Sequence, residues 1–71
     1  MEQIIYSKWR HGGWYVHNAR RANGSIECIS RNYDDGKWRI VCDSRPFDRR
    51  PTFKCRDDAA RAAIEFAKVA A

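Results

Sequence analysis

The chain has 71 residues, a formal net charge of +5 at pH 7 and an aromatic content of 13%, which together fit one small domain, residues 1–71. Its apolar runs stay well short of the roughly 18 residues that span a bilayer, so a transmembrane helix is excluded. With no signal peptide expected, the sequence predicts a cytoplasmic protein. Three Trp, three Tyr and three Phe supply the large side chains that so short a chain needs for a stable core.

The basic residues are unevenly distributed along the chain. Residues 57–71 carry a net charge of −1, so residues 1–56 carry +6. A basic body with a slightly acidic tail favours an anionic partner over a membrane. The partner class expected from charge is therefore nucleic acid or an acidic protein surface.

Four segments in the first two thirds of the chain are rich in β-branched and aromatic residues or alternate apolar with polar ones, as strands do. They are residues 3–10, 14–19, 25–32 and 37–42, separated by turns at His11-Gly12-Gly13, Asn23-Gly24 and Asp35-Gly36. Glycine permits the positive φ that tight reversals require. Because all three linkers are short, we expect successive strands to be antiparallel neighbours in a meander.

Strand alternation assigns each side chain to one of two faces. The residues expected on the core face are Trp14, Val16, Ile26, Cys28, Trp38, Ile40 and Cys42. Those expected on the outer face are Tyr15, His17, Glu27, Ile29, Arg31, Lys37, Arg39 and Val41.

The remaining third of the chain predicts a loop followed by a helix. Residues 43–51 contain two prolines and three arginines, which indicates an exposed loop, and residues 52–54 fit a brief extended piece. From Arg56 the period becomes 3.6, with polar side chains confined to one arc and alanines filling the rest. We expect this helix to lie close to the sheet above Trp14 and Trp38. The predicted fold is α+β, an antiparallel β-meander of three to four strands packed on one C-terminal amphipathic α-helix.

The C-terminal half resembles the small bacterial and phage domains of unknown function that combine a G-x-W-x-V strand, a strand ending in Phe and a capped alanine-rich helix. Residues 36–41 and 52–63 carry this resemblance. They are also loosely similar to the sheet-plus-helix DNA-binding domains of plant AP2 factors and phage integrase N-termini, which present a sheet face to the major groove. The resemblance implies a phage or mobile-element accessory protein. It departs from the pattern at Cys55, which stands where Thr or Ser would cap the helix.

The three cysteines indicate neither a disulfide framework nor a zinc module, because their number is odd and no C-x-x-C spacing occurs. Cys28 and Cys42 fit small core hydrophobes. Cys55 lies between two cations at a helix start and is a candidate reactive thiol, but neither His11 nor His17 can be placed beside it as a base. We therefore expect no metal, no cofactor and no catalytic residues.

The candidate binding surface is the outer sheet face with its flanking turn and loop, where cations alternate with an aromatic residue. Its residues are Tyr15, His17, Arg20, Arg21, Arg31, Lys37, Arg39, Arg45, Arg49 and Arg50. The first interpretation is a non-enzymatic protein whose Arg31, Lys37 and Arg39 contact nucleic-acid phosphates while Tyr15 stacks on or wedges between bases.

Three other interpretations stay open. The same face and the arginine loop would suit a protein-binding inhibitor of a host enzyme or defence complex, similar to an anti-CRISPR protein, because Tyr and Arg are enriched at interface hot spots. The face is also compatible with ordinary solvated surface, since one side of a one-helix sheet must be polar. Finally, the first strand is an exposed edge, which makes an edge-paired homodimer an alternative to a monomer.

Overall fold

The computed structural model describes residues 3–10, 12–41 and 43–69 and has the predicted α+β architecture. A four-stranded antiparallel sheet comprises β1 (Tyr6–Lys8), β2 (Gly13–Arg20), β3 (Ile26–Arg31) and β4 (Trp38–Ile40), in the order β1-β2-β3-β4. One helix, α1 (Arg56–Val69), lies against it. The predicted meander and C-terminal helix are confirmed, although β1 and β4 are shorter than expected. The predictions for His11, Cys42 and Ala70 concern positions outside the described residues.

The core lies between α1 and one face of the sheet, here called the helix face. Its helical side consists of four buried alanines, Ala59, Ala60, Ala63 and Ala67. Val16, Ala19, Ile29 and Ile40 meet them from the sheet, and Trp14 and Trp38 pack against this cluster while only partly buried. Full burial of each Val or Ile side chain contributes about 1.5–3 kcal/mol. The predicted orientation of the helix, with alanines inward above the two tryptophans, is confirmed.

The predicted faces of β3 are wrong. Ile29 pairs with Trp14 on one side and with Ile40 on the other, so it lies on the helix face and is fully buried. Cys28 pairs with Tyr15 and lies on the opposite, outer face, where it is also buried. Apolar residues occur at both odd and even positions of this strand. The alternation of side chains therefore does not show which of the two sets faces the core.

β2 is irregular between Tyr15 and Arg20, where its register with β3 shifts. Its buried residues recur at every third position, Gly13, Val16 and Ala19, in place of the strict alternation expected of a flat strand. The irregularity brings both Val16 and Ala19 into the core with α1.

The exposed edge of the sheet is β1, which contributes only three residues. The segment before it is tied to β2 by the Asn18 side chain and by the backbone, since the His17 nitrogen donates to the Ile5 carbonyl at 2.9 Å. The backbone nitrogen of Ile5 donates to Asn18 Oδ1 at 2.8 Å, and Asn18 Nδ2 donates to the Gln3 carbonyl at 3.1 Å.

Residues 43–55 form a loop that is anchored at both ends. Near its start, the buried carboxylate of Asp43 binds the guanidinium of Arg45, with Nη2 at 2.5 Å from Oδ2. This hydrogen bond holds the pKa of Asp43 below its ordinary value. A turn of 3₁₀ helix spans Phe47–Arg49. Phe53 then pairs with Trp38 through two backbone hydrogen bonds of 2.9 and 3.0 Å, which confirms the extended piece before the helix.

The start of α1 is fixed to β1 and β2 by an aromatic and charged cluster. Cys55 occupies the N-cap position, where its carbonyl accepts from the backbone nitrogen of Ala59 at 3.2 Å. The Arg56 guanidinium lies 4.0 Å from the ring centroid of Tyr6 and 4.9 Å from that of Trp14. The Tyr6 hydroxyl donates to Asp57 Oδ1 at 2.6 Å. Burial and this hydrogen bond raise the pKa of Tyr6 to about 12.

We predict that Tyr6→Phe lowers the free energy of unfolding by about 0.5–1 kcal/mol at pH 7, because it removes one hydrogen bond to a charged acceptor that is partly exposed to water. Because the pKa of Tyr6 is about 12 in the fold and 10.0 in the unfolded chain, the neutral phenol stabilises the fold. This contribution is complete below pH 10 and is lost as the pH rises from 10 through 12. The stability difference between wild type and Tyr6→Phe should therefore narrow above pH 10.

Urea unfolding at several pH values measures this difference, and the ultraviolet absorbance of phenolate gives an independent titration. The wild type should show one tyrosine that ionises near pH 12, and Tyr6→Phe should lack it. Tyr33→Phe is the matched control, because Tyr33 is exposed. Equal stability of wild type and Tyr6→Phe at pH 7 would contradict the assignment.

A second acidic side chain, besides that of Asp43, lies inside the fold. Glu27, expected on the outer face, is only 1% exposed and forms an ion pair with Arg21. The Arg21 guanidinium also lies 5.3 Å from the ring centroid of Phe66 on α1. Arg21 thus compensates a buried charge and covers an aromatic ring of the helix, a structural role that the sequence did not indicate.

We predict that Arg21→Met costs about 3 kcal/mol of unfolding free energy, because it leaves the Glu27 carboxylate buried without its cation. The neighbouring change Arg20→Met should cost less than about 0.5 kcal/mol, since Arg20 is exposed. Urea denaturation measures both.

The double variant Arg21→Met with Glu27→Met should recover most of the loss, because a buried ion pair replaced by apolar side chains is often neutral or stabilising. If Arg21→Met is no more destabilising than Arg20→Met, the ion pair does not stabilise this fold.

Candidate functional site

An open cleft of about 470 Å³ lies at the end of the sheet, between the β1–β2 connection and the β3–β4 turn. Two aromatic residues and four arginines dominate its lining: Trp9, Tyr33, Arg10, Arg31, Arg39 and Arg50. Asp34 is the single acidic residue among the described residues that line it. We call this site the arginine cleft.

Trp9 is positioned by the glycine opposite it. Its backbone nitrogen donates to the Gly13 carbonyl at 3.3 Å, and a Cβ placed on Gly13 would overlap the six-membered ring of the indole. The edge of Trp9 also contacts Tyr15, with ring centroids 6.4 Å apart at 71°. The Arg10 guanidinium lies 5.2 Å from the Trp9 centroid. Only glycine at position 13 lets the indole lie this close to the sheet.

Tyr33 projects from the β3–β4 turn on the other side of the cleft. The turn is closed by Asn32, whose Oδ1 accepts from the backbone nitrogen of Asp34 at 2.7 Å. The Tyr33 side chain is 62% exposed, and the Arg31 guanidinium lies 5.8 Å from its ring centroid. This cleft therefore presents an accessible aromatic face next to a cation.

Arg39 is a fixed cation at the cleft. Its guanidinium binds the Asp35 carboxylate through two hydrogen bonds, Nη2 to Oδ2 at 2.7 Å and Nη1 to Oδ1 at 3.3 Å, and its side chain is only 11% exposed. Together with a backbone hydrogen bond from Lys37, this contact lowers the pKa of Asp35 to about 2. Asp35 is therefore ionised throughout the neutral range and holds the guanidinium in one orientation.

Arg50 reaches the cleft from the loop between β4 and α1. Its Nε donates to the Arg45 carbonyl at 2.9 Å, and Arg45 is itself bound to the buried Asp43. The hydrogen bond to the Asp43 carboxylate raises the pKa of Arg45. The loop thus uses one predicted site residue, Arg45, to position another, Arg50.

Of the ten predicted site residues, the structure gathers Arg31, Arg39 and Arg50 in the arginine cleft. Tyr15 and His17 share the outer face of β2 but are half-buried, with ring centroids 6.5 Å apart. His17 Nε2 is hydrogen-bonded to Ser7 Oγ at 2.7 Å. The aromatic rings that line the cleft are therefore those of Trp9 and Tyr33, and Tyr15 is not among them.

The other five predicted residues lie elsewhere. Arg20 and Arg21 are at the opposite end of β2 from the cleft, with Arg20 Nη1 hydrogen-bonded to the Gly24 carbonyl at 3.1 Å. Arg45 binds Asp43. Lys37 and Arg49 are exposed and do not line the cleft. Their binding roles stay predictions.

Three residues of the cleft, Trp9, Arg10 and Tyr33, are not among the site residues that the sequence predicts. The sequence predicts a strand at Trp9 and Arg10, whereas β1 ends at Lys8 and both belong to the connection. It predicts a turn at Tyr33. The signal that could have found them is a large aromatic residue next to an arginine at a turn, where no core exists to bury it.

Metal binding, the Ser7–His17 pair and membrane insertion have less support in the structure than the arginine cleft. Within residues 3–10, 12–41 and 43–69, no group of three or more His, Cys, Asp or Glu side chains could hold a metal ion. The Ser7–His17 pair lies outside the lining of the cleft. Across the described part of the chain, no helix is long and apolar enough to cross a membrane.

No family model, curated protein or solved structure matches this chain. The resemblance of its C-terminal half to small phage domains and to AP2-type and integrase domains therefore stays an expectation.

Proposed function

We propose that this protein binds single-stranded nucleic acid through the arginine cleft and does so without catalysing a reaction. The observation that carries the proposal is the close association of four arginines with two aromatic rings in one open cleft. Arginines neutralise phosphates, and aromatic rings stack on bases. The cleft therefore has arginines for the phosphate of a nucleotide and aromatic rings for its base.

The arrangement of charges supports an anionic ligand. Asp35 orients Arg39, and the Arg45 carbonyl holds Arg50, so two of the four guanidinium groups are positioned before a ligand arrives. A guanidinium held in advance loses less side-chain entropy on binding a phosphate than a free one does. Arg10, which is exposed and lies over Trp9, is available for the strand itself.

The position of the aromatic rings favours a single strand over a duplex. Bases in a duplex are already stacked on one another, whereas Tyr33 offers an exposed ring to an unstacked base. The helix is poorly suited to a phosphate backbone, because the exposed side of α1 includes Asp57, Asp58 and Glu65. Its cations Arg61 and Lys68 are paired with Asp58 and Glu65.

An acidic surface of a host enzyme or defence complex is the second class of partner that the cleft suits, because interface hot spots are rich in Arg, Tyr and Trp. The two classes differ in one requirement. Nucleic acid needs the aromatic rings for base stacking, whereas an acidic polypeptide without aromatic groups needs only the cations.

The proposal predicts that labelled oligothymidylate and oligouridylate of about 12 nucleotides bind with an affinity that falls steeply between about 50 and 200 mM salt. Tyr33→Ala should weaken binding by about 5- to 150-fold, the range for one lost base stack of about 1–3 kcal/mol. Arg10→Ala should reduce the slope of log affinity against log salt by about 0.7, the value for one phosphate contact with a single strand. Fluorescence anisotropy measures both.

Arg61→Ala is the matched control for Arg10→Ala, because it removes the same charge from the exposed side of α1. It should leave the slope unchanged, and Tyr33→Phe should keep the affinity that Tyr33→Ala loses. Absence of binding at about 50 mM salt would overturn the proposal. Polyglutamate that binds as tightly as the oligonucleotides would favour an acidic protein partner.

A further inference from the structure

A second cleft of about 290 Å³ lies at the same end of the sheet as the arginine cleft. Its walls include the indoles of Trp14 and Trp38, and its cations are Lys8 and Arg31. No acidic residue is present among the described residues that line it. We call this site the tryptophan slot.

The slot lies beside the core cluster. Trp14 and Trp38 both pack on the core cluster with part of each side chain still exposed. Gly12 and Gly13 also line the slot and contribute no side chain that could fill it. The Lys8 ammonium lies 5.8 Å from the ring centroid of Trp14, at the edge of the sheet.

Arg31 is the one described residue that lines both clefts. It is the last residue of β3 and is exposed. Its backbone nitrogen donates to the Gly12 carbonyl at 3.0 Å, which fixes the main chain at the point where the two clefts meet. A ligand that occupies both clefts must therefore pass this guanidinium.

We propose that the tryptophan slot is a second nucleotide subsite, so that one strand bends around the end of β3 with a phosphate on Arg31 and neighbouring bases in the two clefts. This inference rests on the proposed function, because it extends the same binding site. The slot offers a base two indole walls, and its lining includes two cations, Lys8 and Arg31, for the flanking phosphates. A mononucleotide should enter the larger arginine cleft and leave the slot empty.

The three indole N–H signals of Trp9, Trp14 and Trp38 provide a direct test by NMR, because the chain contains three tryptophans and each faces a known cleft. Thymidine 3′,5′-bisphosphate should shift the Trp9 signal. A trinucleotide should also shift the signals of Trp14 and Trp38. Trinucleotide shifts confined to Trp9 would overturn the second subsite.

Matched variants supply an independent test. Lys8 lines only the slot and Arg10 lines only the arginine cleft, so Lys8→Gln and Arg10→Gln each remove one charge from one cleft and retain much of the side-chain stem. For a trinucleotide with a terminal phosphate, which supplies one phosphate each for Arg10, Arg31 and Lys8, each variant should reduce the salt slope by about 0.7. For the bisphosphate, Arg10→Gln should weaken binding and Lys8→Gln should leave it unchanged.

These experiments distinguish a failure of the second subsite from a failure of the proposed nucleic-acid binding. Trinucleotide binding that depends on Arg10 and Tyr33 but not on Lys8 would overturn the second subsite and leave the proposed function intact. No binding of any oligonucleotide, or binding indifferent to Arg10 and Tyr33, would overturn both. Circular dichroism and urea unfolding of each variant confirm that the fold is retained.

Discussion

The close approach of α1 to the sheet is the constraint on which the rest of the structure depends. Four alanines form the buried stripe of the helix, so the large buried apolar side chains of the core come from the sheet, namely Val16, Ile29 and Ile40. Larger residues at the alanine positions would push the helix away from these side chains. The two tryptophans pack at the margin of this thin core, and their exposed parts wall the tryptophan slot.

Part of the positive charge is used to hold the fold together. Several cations of this basic chain have structural partners: Arg21 neutralises Glu27, Arg45 binds Asp43, and Arg56 lies against the rings of Tyr6 and Trp14. The pairs with Glu27 and Asp43 do not change the net charge of +5, because both acids are already counted in it, but they hold Arg21 and Arg45 in structural contacts. At the end of the sheet, four arginines meet next to the aromatic rings of Trp9 and Tyr33.

The sequence predicted the fold well where local chemistry is decisive. Asn23-Gly24 and Asp35-Gly36 produced turns whose glycines have φ of +93° and +69°, and the alanine-rich period of 3.6 produced α1. Prediction failed for the faces of β3, because the preference of Ile29 for the core depends on its neighbours in β2 and β4. The binding cleft was only partly foreseen, since Trp9 and Tyr33 come together through tertiary structure and not through any pattern within one segment.

The exposed edge of the sheet limits how this chain can associate with extended polypeptides. An unpaired strand offers a row of backbone donors and acceptors to any passing chain, and long flat edges promote fibrillar aggregation. Here the edge strand has three residues and ends at Lys8, a charged side chain at the edge. A three-residue edge strand offers few backbone groups to a second chain. This disfavours the growth of β-sheet aggregates and helps to keep the protein in solution.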